Sequence, residues 1–83
     1  MNTLVDQPIS ASYSRGRVLV RMQSGLEFSF PVRGNSRLEG KPVEKLKNID
    51  LSPFGLHWPD LDEDLSIRGI LAGQYGQREL AMV

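Results

Sequence analysis

The residues able to do chemistry are concentrated in one short stretch. Between Gly55 and Gly73 lie the chain's one His (His57), its one Trp (Trp58) and four of its ten carboxylates, Asp60, Asp62, Glu63 and Asp64. A His beside carboxylates is the minimum for acid–base work, because imidazole changes charge near neutrality and a carboxylate can orient it. No nucleophile elbow, phosphate-cradling Gly loop or His-x-x-x-His pair accompanies it. His57 is therefore read as structural, its ring packed and one nitrogen bonded to a carbonyl or carboxylate. The alternation Asp60-x-Asp62-x-Asp64 imitates the opening of a calcium loop, which needs oxygen ligands at alternate positions. The rest of that motif fails, with Leu65 where the sharp-turn Gly belongs and Leu71 where the bidentate Glu belongs. The acids read instead as carboxylates at a helix entrance, facing the positive end of its dipole, or as an acidic edge for a basic partner. No catalytic residue, metal ligand or cofactor is assigned.

Trp58, followed by Pro59, reads as a core plug closing the open edge of an apolar sheet face. Were it exposed, it would be an interface anchor. A second group, Arg15, Arg17 and Arg21 with the row Ser10, Ser12 and Ser14, falls on one strand face and could contact phosphates. Against that, Glu27 stands opposite Arg21, the face lacks aromatic stacking residues, and Leu19 sits among the charges as a lone apolar point. A solvated face is the plainer reading, and Leu19 makes a protein contact more credible there than a nucleic acid.

These side chains need a framework, and hydrophobic periodicity supplies one. Ile9, Ala11 and Tyr13 alternate with serines; Val18, Val20 and Met22 alternate with Arg17, Leu19 and Arg21; Leu26, Phe28, Phe30 and Val32 alternate with Glu27, Ser29 and Pro31. Three period-two runs separated by Gly-containing turns predict an antiparallel meander with one wet face. Register follows from turn length. A two-residue turn at Arg15-Gly16 pairs Ser14 with Arg17, Tyr13 with Val18 and Ala11 with Val20, all apolar residues on one face. Ser24-Gly25 alone would slip the next strand by one residue and turn its apolar set outward. A three-residue loop, Gln23-Ser24-Gly25 with Gly25 left-handed, pairs Met22 with Leu26, Val20 with Phe28 and Val18 with Phe30, and sets Arg21 against Glu27.

After the Gly34-Asn35-Ser36 break, Pro42 opens a short helix reaching about Lys47, with Glu44 in its first turn. Ile49 and Leu51 suggest a fourth strand, ended by Pro53 and Gly55, and Leu56 to Trp58 a brief extended piece. Ser66 is the expected N-cap of a last helix through Ile67, Ile70 and Leu71, with Leu65 and Ile70 as a hydrophobic staple and Gly73 as its stop. The expected fold is α+β: an antiparallel β-meander of three to four strands with two short helices packed on its apolar face. Residues 1–7 are expected as a loose arm, 8–73 as the domain and 74–83 as a loose tail.

Composition bounds the rest. Eighty-three residues make one small domain. Ten basic and ten acidic residues cancel, which argues against a dominant nucleic-acid or anionic-membrane partner. The zero hides an excess of two positive charges over residues 1–40 and of two negative charges over 41–83. Without cysteine there is no disulfide or thiol metal site. No apolar run approaches the roughly 20 residues of a membrane span, and no basic-then-apolar leader opens the chain, so a cytoplasmic location is expected.

The stretch Gly55-Leu56-His57-Trp58-Pro59-Asp60-Leu61-Asp62-Glu63-Asp64-Leu65-Ser66, followed by Ile70-Leu71-Ala72-Gly73, closely resembles the C-terminal signature of a bacterial family known as domain of unknown function 2442. That signature runs Gly-x-His-Trp-Pro, then Leu-Asp-Glu-Asp-(Leu/Ile)-Ser, then Leu-Leu-x-Gly, so His57, Trp58, Pro59, Asp64 and Ser66 fall within it. The resemblance implies a small α+β fold and no established catalytic activity. It also implies gene neighbourhoods with a small toxin-like protein, hence an antitoxin-type or adaptor role, and a helix-turn-helix in some longer relatives. Ten residues after Gly73 leave no room for that addition, so its DNA-binding role is not expected here. Lys41 replaces the usual Ser or Thr before Pro42, which predicts a poorly capped first helix.

Two functions are therefore carried forward. The first is a non-enzymatic module binding a small protein through an open strand edge and an acidic segment, with Asp60, Asp62, Glu63 and Leu19 as candidate contacts. A homodimer through a sheet edge is also open. The alternative is a nucleic-acid-associated regulator using Arg15, Arg17 and Arg21. A small-molecule sensor is a thinner third option, for want of pocket volume.

Overall fold

The first hairpin pair follows the register that turn length dictates. In the computed structural model, which describes residues 6–77, β1 (Pro8–Ser14), β2 (Arg17–Met22) and β3 (Glu27–Pro31) form an antiparallel sheet in that order. Tyr13 faces Val18, Ala11 faces Val20, Val20 faces Phe28 and Arg21 faces Glu27. Arg15 and Gly16 both have positive φ, 51° and 83°, the backbone whose twist matches a two-residue hairpin. Gly25, at φ 99°, makes the extra residue of the second turn possible, and the Met22 N–H closes onto the Leu26 carbonyl at 2.8 Å. Arg21 and Glu27 pair at 2.7 Å with both side chains about half exposed, so the contact fixes register more than it adds stability.

Two apolar residues depart from the expected row. Pro8 opposes Met22 while Ser10 opposes Arg21, so Ile9 is the extra residue of a β-bulge. Pro8 cannot donate to the ladder, which suits it to the end of an edge strand, and the bulge turns Ile9 outward. Leu26 sits beyond the last ladder pair and is also exposed.

The larger correction concerns residues 50–66. Instead of one added strand, an extended piece and a helix entrance, they form a second antiparallel sheet. Its strands are β4 (Asp50–Ser52), β5 (Gly55–Trp58) and β6 (Glu63–Ser66), with β5 in the middle. The fold is α+β, but the described residues form six strands in two three-stranded sheets rather than a single meander of three or four. The helices are also smaller contributors than expected. Helix α1 (Val43–Leu46) and helix α2 (Ile67–Leu71) span four and five residues, little more than one turn, and cannot present a broad face. They give the core Leu46, Ile67 and Ile70, whereas the second sheet gives Leu56, Trp58 and Leu65, and the connecting turns give Leu38. These join Val18, Val20, Met22, Phe30 and Val32 of the first half in one apolar cluster. Among the described residues no helix is long and apolar enough to cross a membrane.

Local helix signals hold with one shift: Pro42, expected as the first helical residue, is the N-cap instead, with extended backbone at ψ 141°. Pro42 precedes α1 with no side-chain cap. The Ser66 hydroxyl accepts the Gly69 N–H at 2.8 Å, and the Gly73 N–H closes onto the Ile70 carbonyl at 2.9 Å. Leu65 and Ile70, the staple pair, are both buried. Ser66→Ala is expected to cost about 1 kcal/mol, because one helix-end N–H loses its acceptor. A urea midpoint unchanged from wild type would show the cap to be idle.

At the chain ends, Asp6 and Gln7 of the arm expected over 1–7 are tied to the β2–β3 loop. The Asp6 carboxylate accepts the Ser24 N–H and hydroxyl at 2.9 and 2.6 Å, and the Gln7 carbonyl accepts the Gln23 N–H at 2.8 Å. Of the tail expected over 74–83, Tyr75 stacks on Phe30 with ring centroids 5.4 Å apart, and Gln77 bridges to Asn35. Residues 1–5 and 78–83 lie outside the described residues.

Candidate functional site

The signature stretch folds into the β5–β6 hairpin, whose alternation decides what each side chain faces. Leu56 and Trp58 point inward from β5, so His57 between them points out. Register places Leu51 and Leu65 beside Leu56, Asp50 and Asp64 beside His57, and Glu63 beside Trp58. The outer face therefore carries the row Asp50–His57–Asp64.

His57 Nδ1 pairs with Asp64 Oδ1 at 2.6 Å. The expected bond to a carboxylate is present, but the ring is half-exposed rather than packed, and Asp64 is largely exposed. Trp58 is fully buried, and its indole N–H donates to the Leu46 carbonyl at 3.1 Å. That oxygen is at the C-terminal end of α1, where carbonyls lack partners within the helix. One side chain thus fills the core, satisfies α1 and anchors the hairpin. Pro59 opens the loop that joins β5 to β6 and is exposed.

The acids do not stand before α2. They divide between the hairpin loop and β6, because β6 itself supplies the residues leading into the helix. Asp60 is exposed and accepts the Asn48 amide N–H at 3.0 Å. Asp62, 90% exposed, adopts a positive φ of 52° and lies 3.5 Å from Arg37, whose guanidinium also reaches the Asp62 carbonyl at 3.0 Å. Glu63 turns the other way. Its carboxylate accepts the Asn35 amide N–H at 2.8 Å beneath the sheet. Asp60, Asp62 and Asp64 thus remain presented to solvent, with Asp50 exposed on β4, while Glu63 is partly buried in an internal network. Among the described residues no group of three or more His, Asp or Glu is placed to hold a metal ion.

Leu19 is exposed on the outer face of the first sheet, on a different sheet from the acids. Its neighbours there are engaged locally. Arg17 donates to the Ser29 hydroxyl at 3.1 Å and to the Ser29 carbonyl at 3.3 Å, and Arg21 pairs with Glu27. Arg15 occupies the β1–β2 turn and is exposed.

Two features carried no expectation from the sequence. Asn35, 1% exposed, is the centre of a polar network. Its amide N–H groups donate to Glu63 and, at 3.0 Å, to the Tyr75 carbonyl, while its side-chain oxygen accepts the Arg37 N–H at 2.9 Å. Its residue type within Gly34-Asn35-Ser36 signals only a turn. The second is an apolar groove of about 600 Å³ between the β2–β3 loop, the β4–β5 turn and α2, walled by Met22, Leu26, Phe54, Ile67 and Leu71. Phe54 borders a turn, where periodicity says nothing about burial, while Leu26, expected in the apolar row, is exposed at the end of its turn.

Among curated proteins, none matches the chain. A solved crystal structure of a protein of unknown function from Rhodospirillum rubrum ATCC 11170 is similar over most of both molecules. It is 36% identical, with a TM-score of 0.77, covering 88% of this chain and 93% of that one. The family model described as protein of unknown function (DUF2442) matches residues 8–76, from β1 through both sheets and α2 to the Tyr75 segment. With its signature hairpin, its two sheets and that match in agreement, the chain belongs to the DUF2442 family.

Proposed function

We propose that this domain is a non-enzymatic protein-interaction module, bacterial and cytoplasmic, that binds a small basic protein in an antitoxin-like or adaptor role. The observation that carries the reading is the second sheet's outer surface. Asp50 and Asp64 flank His57 on one face, and Asp60 and Asp62 project from the adjoining loop, all four exposed. Arg37, beside Asp62, offsets only part of that charge. Such a surface steers a cationic partner and sets its orientation more than it adds raw affinity. Each sheet also ends in strands paired on one side only within their sheet, which offers backbone groups for strand addition. Of the candidate contacts, Asp60 and Asp62 serve this face directly, and Glu63 supports it from beneath through Asn35. Leu19 would belong to a separate contact.

The nucleic-acid alternative has less support, because Arg17 and Arg21 already bond to Ser29 and Glu27 and Arg15 alone is a small charge footprint.

The test is a pull-down of the full chain from native extract, with size-exclusion mass measurement on the same sample. A protein that co-elutes at fixed stoichiometry is expected, with its capture reduced at least about tenfold by Asp60→Lys plus Asp62→Lys and weakened by salt. A partner captured equally by the charge-reversed variant would remove the acidic hairpin from the interface.

A further inference from the structure

The apolar groove is a different surface from the acidic hairpin, and its composition suggests its own occupant. Among the described residues, three of the seven exposed large hydrophobic side chains border it: Phe54 at 69% exposure, Leu71 at 55% and Leu26 at 48%. Scattered apolar residues on a surface are ordinary, but several around one recess are not. The same patch holds a protrusion and a hollow. Phe54 projects from the β4–β5 turn, while Met22 and Ile67, both buried, form the floor beside it.

The rim carries one acid and one base, Asp6 and Arg68. Ser24 holds the Asp6 carboxylate in place through two hydrogen bonds, and a carboxylate has acceptor capacity beyond those two. Arg68 is exposed and forms no ion pair among the described residues. A patch that holds both a knob and a hole, and both a plus and a minus, carries the elements that a self-complementary two-fold contact needs. The chain's zero net charge opposes such pairing with no long-range repulsion.

We infer that this groove is the contact surface of a symmetric homodimer, each copy's Phe54 entering the other's groove and each Arg68 meeting the other's Asp6. Phe54 also borders the shallow depression that holds His57 and Asp64, so the two surfaces adjoin; Asp60 and Asp62 line neither, and the dimer does not depend on the proposed partner binding. A contact confined to this groove and its rim would stand near the lower end of the usual interface range, and such a dimer dissociates on dilution.

Sedimentation velocity on the full chain, across a concentration series, tests this. Mass is expected to rise toward twice the 9.3 kDa of one chain. Phe54→Asp and Leu71→Glu, both at exposed positions, should leave the circular dichroism spectrum and melting curve intact while weakening the dimer by roughly 100-fold, since each change acts twice in a two-fold contact. Arg68→Asp should weaken it about tenfold, and adding Asp6→Arg should recover most of that loss. Asp60→Lys with Asp62→Lys should leave it unchanged, so failure here is separable from failure of the partner reading. A monomer at every concentration overturns the inference. So does a dimer that survives Phe54→Asp and Leu71→Glu, which would place the contact on a sheet edge instead.

Discussion

Trp58→Ala is expected to cost about 3–5 kcal/mol, the range for removing a large aromatic from a packed core. The position has no slack. Trp58 is fully buried in the cluster to which both sheets and both helices contribute, so its removal opens a hole at the meeting point of all of them. Its loss also strands the Leu46 carbonyl, which accepts the indole N–H at 3.1 Å. A domain this size has stability near the lower end of about 5–15 kcal/mol, so the variant should keep at most about 2 kcal/mol and populate its unfolded state measurably at room temperature. Trp58→Phe separates the two contributions. It retains much of the packing but leaves the carbonyl unpaired, for about 1–3 kcal/mol. Urea unfolding followed by circular dichroism measures both, and wild-type tryptophan emission should be blue-shifted as befits a dry site. A Trp58→Ala midpoint equal to wild type would sink this account of the core.

Asn35→Ala is the second large expectation, about 3 kcal/mol, although it removes only a small polar side chain. The energy lies in what remains. Glu63, the Tyr75 carbonyl and the Arg37 N–H would each lose a partner, and a buried polar group left unmatched costs about 1–3 kcal/mol. The effect should also be local, releasing the segment around Tyr75. Hydrogen exchange at residues 74–77 should accelerate before exchange in β2 does. Asn35→Asp keeps the shape but sets a second carboxylate against Glu63, so its penalty should be large at neutral pH and smaller under acid, where one of the two is protonated. Gly76 belongs to the same site. A Cβ there would collide with the Asn35 amide and stand 2.9 Å from the Glu63 carboxylate. If Asn35→Ala left both stability and exchange untouched, the network would be incidental.

How much of this could be read from residue order differs sharply between the two sheets. In β1–β3 the apolar residues recur at period two over long enough runs to count. Turn length then allows only one register that keeps both apolar sets on one face. Gly16, Gly25, Ser66 and Gly73 act within a few residues of themselves, so turns and caps were legible for the same reason. The second sheet offered less: the alternation of Ile49 and Leu51 marks β4, and Leu56 to Trp58 reads as extended, but nothing local pairs them or makes a strand of Glu63–Ser66. Its strands have three or four residues, too few for a period to fix which strands pair. Glu63 and Asp64 are poor strand formers by composition, and just before a helix they resemble dipole partners. What holds them in a strand is contact with His57 across the hairpin and with Asn35, which lies 28 residues earlier.

The candidate site follows the same division. The chemically unusual residues around His57 could be recognised as one unit, along with the burial of Trp58, because residue types and short spacings carry that information. Which acids face solvent, and which one turns beneath the sheet, could not, since strand alternation sends Asp64 and Glu63 to opposite faces once β6 exists. The groove was further out of reach. Leu26, Phe54 and Leu71 come from three separate turns and helix ends, and they meet only when the two sheets close over one core. Short-range pattern is enough for the meander, its register and its caps. The second sheet, the Asn35 network and both interaction surfaces depend on contacts between distant segments, which no local window of residues contains.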